Sequence, residues 1–107
     1  MSDTLDRVKA LVAADALRVT DHGDEELAED RIGLRDVLAG VREAVTIEDY
    51  PDAKRGPTVL VLQHDRDNNP IHVLWGIRHG TDGPAVLITA YRPDPSRWSE
   101  DFRRRRR

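Results

Sequence analysis

Cysteine is absent from the 107 residues, which removes disulfides, thiolate metal ligands and cysteine nucleophiles together. Lysine is nearly absent as well. Of the seventeen basic residues only Lys9 and Lys54 are lysine, and the arginine excess suits bidentate phosphate recognition, although a genome-wide codon bias produces the same ratio. No apolar run approaches the ~20 residues of a membrane-spanning helix. The first ten residues, MSDTLDRVKA, carry acids where an export signal would be basic. No HxH or HExxH spacing occurs among the four histidines, so no metal and no other cofactor is implied. These absences point to a cytoplasmic protein without a membrane partner, read as one domain over residues 1–102 and an arginine tail at 103–107.

Charge is present but unevenly spread. The formal total is −3, yet Arg103 to Arg107 supply five of the basic groups, and without them the balance is −8. Residues 1–57 hold fourteen acids against eight bases. Polyanion binding rests on clustered Lys and Arg, so any nucleic-acid contact on such a body has to be local. A terminal run of like charges is most simply a solvated tail, with loose pairing to the acidic half as a second reading.

Periodicity divides the chain into a helical half and a sheet half. Leu5, Val8, Leu11 and Val12 recur at helical spacing behind the potential caps Ser2, Asp3 and Thr4, predicting a helix over 4–14. Residues 17–20 read as a short extended link. Helices are expected at 24–31, with acids at the positive N-terminus, and from Leu34, ending near Gly40. The period then falls from 3.6 to 2. Strands are predicted at 44–50, 58–63, 71–77 and 85–91, the second an apolar run suited to a central strand, with turn formers at 64–70 between the second and third. The expected fold is α+β, two or three N-terminal helices packed on a four-stranded antiparallel meander.

The last two strands carry polar groups that a hairpin does not need. Alternation places Ile71, Val73, Trp75 and Ile77 on one face, with His72, Leu74 and Gly76 on the other. In the final strand Val86, Ile88 and Ala90 form the expected apolar face, leaving Leu87, Thr89 and Tyr91 on the mixed one. His72 therefore shares a side with Thr89 and Tyr91, within cross-strand reach of one of them according to register. Four candidate site residues emerge. His22, in the TDHG turn, is a general base or a helix cap; His72 is a base or a structural, hydrogen-bonded strand histidine. Tyr91 is a hydrogen-bond donor or a cover for the sheet end. Arg92 is an anion clamp or one half of a salt bridge. Trp75 reads as core, Trp98 as a stacking surface, and His64 and His79 as solvated turn residues.

The combination of His22, the segments RIGLRDVLAGV and IEDYP, a Gly-Pro before an apolar strand, PIHVLWG and LITAYRPDPSRW resembles the bacterial domain-of-unknown-function family DUF4258 over roughly residues 5–98. By fold-level analogy the resemblance implies a layout similar to small RelE-like or barnase-like ribonuclease toxins. Two functions follow as expectations. In one, the domain is a toxin-like, metal-independent ribonuclease acting on RNA and paired with an antitoxin-like protein. His22 or His72 would withdraw the ribose 2′-hydroxyl proton, Arg92 would stabilise the phosphate charge, and Tyr91 would position it. In the other, the mixed sheet face is a non-catalytic module that binds a partner protein or a small anion.

Overall fold

Serine at position 2 caps the first helix through its hydroxyl, which accepts from the Leu5 N–H at 3.1 Å, the arrangement that satisfies one of a helix's orphan donors. The computed structural model describes residues 2–106. It runs α1 (Asp3–Ala13), β1 (Leu17–Val19), α2 (Asp21–Glu29), α3 (Leu34–Gly40) with a 3₁₀ turn at Val41–Glu43, then β2 (Val45–Tyr50), β3 (Thr58–His64), β4 (Pro70–Ile77) and β5 (Ala85–Tyr91). The strands make one five-stranded sheet in the order β1-β5-β4-β3-β2. Among the described residues no helix is long and apolar enough to cross a membrane.

The α+β class holds, and the strand count and sheet type need correction. Residues 17–19, expected as a link, pair in parallel with Ala85–Leu87 of β5, so the sheet is mixed rather than a four-stranded antiparallel meander. Three residues are too few to show an alternating pattern, and β1 is held largely by its flanks. The Ala85 N–H donates to the Ala16 carbonyl and the Thr20 N–H to the Leu87 carbonyl. Thr20 then caps α2 with its hydroxyl, which accepts from the Gly23 N–H and donates to the Ile88 carbonyl. This cap starts α2 three residues before the acidic run that marked its expected beginning. A Cβ at Gly23 would lie 2.8 Å from the Leu87 carbonyl oxygen, so glycine permits the close approach of α2 to β5.

Helices α1, α2 and α3 cover one face of the sheet. Leu5, Val8, Leu27 and Val37 meet Val59, Val61, Ile71, Val73, Trp75, Ile77, Ala85, Leu87 and Ala90 in a single buried cluster. The face expected for β4 is the face observed. On β5 the alternation breaks: Leu74 opposes Thr89 but Trp75 opposes Leu87, a bulge that leaves Ile88 as the extra residue. Leu87 therefore joins the core in place of Val86 and Ile88, and Ala90 alone of the expected trio stays there.

One polar pair sits in this core. Gln63 is fully buried; its amide oxygen accepts from the Trp75 indole N–H at 3.2 Å and its amide nitrogen donates to the Val37 carbonyl at 2.8 Å. The bond to Val37 joins α3 to β3. Replacement by Gln63→Leu strands two buried partners, and we expect a loss of about 2–4 kcal/mol in urea-unfolding stability; a loss below about 0.5 kcal/mol, the range of neutral surface changes, contradicts this role.

Candidate functional site

His72 lies on β4, the middle strand, directly opposite Leu62 of β3 and Tyr91 of β5. The register that the sequence left open thus selects Tyr91 rather than Thr89. Strands on both sides and a cover above leave His72 with no exposed surface. Its Nε2 lies 2.7 Å from the Phe102 carbonyl oxygen and its Nδ1 lies 3.1 Å from the Tyr91 hydroxyl. A carbonyl only accepts, so Nε2 carries the proton and donates, while Nδ1 accepts from the Tyr91 O–H. Both bonds are made by one neutral tautomer. Burial lowers the imidazole's proton affinity below its ordinary value, opposed by the Phe102 carbonyl and by Glu48, and assisted by the positive Arg105. Burial likewise raises the Tyr91 phenol, keeping it protonated as a donor.

The cover is the C-terminal segment. Trp98 is buried with its ring edge-on to His72, centroids 4.3 Å apart at 86°. Arg105 bridges back in antiparallel fashion to Trp98 and lays its guanidinium 4.8 Å over the indole, a cation–π contact. The same guanidinium donates from Nε to Glu48 Oε2 at 3.1 Å and from Nη2 to Oε1 at 3.0 Å, and the Tyr50 hydroxyl donates to Oε1 at 2.7 Å. Arg105 accordingly holds the Glu48 carboxyl below the usual carboxylate range. A continuous set of contacts thus crosses the mixed face from Tyr50 and Glu48 on β2, through Arg105 and Trp98, to His72 and Tyr91. The arginine segment folds back beside β2 with Arg105 paired to Glu48, while Arg103, Arg104 and Arg106 remain exposed; Arg107 is outside the described residues. Sequence reading missed Glu48, Phe102 and Arg105 as members of this set. The available signal was Trp98 itself, a large apolar ring that draws the chain around it back onto the sheet.

The other two candidates stand elsewhere. Arg92 follows Tyr91 directly and turns the opposite way along the strand. Its guanidinium donates to the Asp30 carbonyl (3.1 Å), Asp65 Oδ2 (3.0 Å) and the Arg31 carbonyl (3.2 Å), while its backbone N–H donates to Asp30 Oδ2 at 2.8 Å. Asp65 also accepts from the Asp67 and Asn69 N–H groups, which with Arg92 overcome its burial and keep its carboxyl low. The group ties the end of α2 to the end of β5 and the β3–β4 loop. His22 sits in the exposed first turn of α2, 3.7 Å from Glu26, on the helix-covered side of the sheet and so across it from His72. His72 and Tyr91 come together; His22 and Arg92 join neither them nor each other. Among the described residues no group of three metal-ligating side chains is placed to hold an ion.

Residues 19–92 match the model of a family described as domain of unknown function DUF4258. No curated protein and no solved structure matches the chain. The matched stretch begins at the end of β1 and stops one residue after β5, so His72 and Tyr91 lie inside it while Trp98, Phe102 and Arg105 lie beyond.

Two outcomes follow from this geometry. The folded state takes up a proton on His72 less readily than the unfolded chain does, so the unfolded form binds more protons as pH falls through the ordinary imidazole range near 6.5. Stability from this residue is complete above about pH 7 and declines as pH drops below ~6.5 toward the depressed folded value. Urea unfolding followed from about pH 7.5 to 5.5 is expected to show this decline in the parent and a flatter profile in His72→Gln, where equal slopes would contradict it. Arg92→Lys retains the charge but loses the planar fork, and is expected to cost about 2 kcal/mol or more in the same assay; full retention of stability would show that the three guanidinium bonds do not hold the loop.

Proposed function

The chain belongs to the DUF4258 family, whose description names no reaction, and we propose that it is a non-catalytic binding module acting through the mixed face of the sheet. The observation that carries this reading is the state of His72. Its ring has no exposed surface and both nitrogens are engaged, so it offers neither a free lone pair nor a free proton to a substrate. A general base has to reach the proton it removes directly or through one water. Here the imidazole reaches a tyrosine and a backbone carbonyl of its own chain.

The rest of the geometry leans the same way. The ribonuclease reading asks Arg92 to stabilise a phosphate, while its guanidinium already faces three oxygen acceptors of the fold. It asks His22 to share a cleft with His72, and the sheet stands between them. The polar groups on the mixed face instead hold down a segment that carries exposed arginines, which is the arrangement of a recognition surface. The anion alternative within this reading is favoured over an apolar partner because that segment is cationic.

An RNA-cleavage assay separates the two functions. The parent protein is expected to release no more fragments from labelled RNA than His72→Gln or Arg92→Lys, each checked for folding by circular dichroism. Cleavage by the parent that is lost in folded His72→Gln would overturn the binding reading and restore a catalytic role to the His72–Tyr91 pair.

A further inference from the structure

The C-terminal segment does more than cover His72. Between it and β2 lies a cleft of about 620 Å³ lined by Ile47, Glu48, Trp98 and the four arginines Arg103 to Arg106. Arg105 is neutralised by Glu48. Arg103, Arg104 and Arg106 are exposed, and among the described residues none of them has a carboxylate within ion-pair distance. Arg106 donates from Nε to the Pro95 carbonyl, which orients the guanidinium and leaves its charge uncompensated. Asp101 lies nearby; its carboxylate accepts from the Ser99 hydroxyl and the Arg103 backbone N–H, and its negative charge acts on Arg103 and Arg104 without a direct ion pair.

Three exposed guanidinium groups without a direct ion pair, on a segment fixed by Trp98, Glu48 and His72, form a candidate anion site. Arginine presents a planar fork that matches phosphate or carboxylate with paired N–H bonds. The cleft wall distinguishes between these anions. Ile47 and the small accessible edge of the buried Trp98 give it a narrow apolar side next to the cationic rim, which suits a ligand with apolar surface adjacent to its charge, as a nucleotide has. A glutamate side chain carries only methylenes there. The surrounding acidity limits the length of contact. With −8 on the remainder of the chain, charges beyond a Debye length of ~8 Å repel a polyanion weakly at physiological salt, while closer ones repel it strongly. A flexible single strand can place one or two phosphates in the cleft and bend away; a rigid duplex cannot.

We propose that the cleft between β2 and the Arg103–Arg106 segment binds the phosphate backbone of single-stranded RNA. The proposal rests on the binding-module reading and adds the ligand class and its location to it.

Fluorescence anisotropy with a labelled oligouridylate tests this on the full chain. Two phosphates neutralised in a single strand give a slope of about −1.4 in log affinity against log salt, so raising salt from about 50 to about 200 mM is expected to weaken binding about sevenfold. The double charge reversal Arg103→Glu with Arg104→Glu is expected to abolish detectable binding, whereas Arg18→Glu on the distant β1 edge leaves it within about twofold, since screening isolates well-separated surface charges. Unchanged binding in the double variant, equal loss in Arg18→Glu, or tighter binding of a labelled oligoglutamate peptide than of RNA would each overturn the cleft assignment. None of those results produces RNA fragments, so the binding-module reading fails separately, by cleavage, and the two failures are distinguishable.

Discussion

A single neutral imidazole joins the two layers on the far side of the sheet. His72 has a strand on either side and the C-terminal segment above it, and its two nitrogens face a donor on one side and an acceptor on the other. Only the uncharged form with the proton on Nε2 fits both partners without turning the Tyr91 hydroxyl. Burial of an unpaired polar nitrogen at this depth would cost roughly 1–3 kcal/mol; here no buried side-chain polar atom among the described residues lacks a partner. The C-terminal segment is irregular, with few backbone bonds of its own to the sheet. Its position depends on the Phe102 carbonyl reaching His72, on the Trp98 ring packed against the same imidazole, and on Arg105 reaching Glu48.

Tyr91 and Arg92 show how one strand end serves both layers. Consecutive residues at the end of β5 point to opposite faces. Tyr91 meets His72 under the C-terminal segment, and Arg92 meets Asp30, Arg31 and Asp65 on the helix side. Each side chain of this dipeptide fastens one layer, with the arginine clamping the end of α2 and the β3–β4 loop. A hydrogen-bonded guanidinium with a nearly buried carboxylate is strongly held in such a place because removing either partner leaves the other charge uncompensated.

Much of this was legible from residue order. The bounds of β5 and the helix-facing side of β4 follow from alternation, and the pairing of His72 with the Thr89–Tyr91 side follows from the same parity. Three things were not legible. β1 has three residues and borrows its place from the free edge of β5, a tertiary contact with no local period. The bulge at Ile88 shifts Leu87 into the core and cannot be read from a strand in which Val86, Leu87 and Ile88 are all apolar. The arginine run has the composition of a solvated tail, and composition does not register that Trp98, Phe102 and Arg105 find partners on β2 and β4 dozens of residues earlier.

That last difference alters what the net charge means. A total of −3 describes a molecule whose positive end, if loose, would be drawn to its own acidic half and be lost as a feature. Fastened through Trp98 and Glu48, Arg105 gives up its charge locally, and its exposed neighbours, with Asp101 as the nearby acid acting on Arg103 and Arg104, are held apart from the acids of the helical face by the thickness of the sheet. Fields from exposed charges fade over ~8 Å at physiological salt, so a ligand in the cleft feels chiefly the groups that line it. An acidic protein thereby carries a cationic surface without being basic overall. The same hydrogen bonds that engage both nitrogens of His72 help to keep that surface in place.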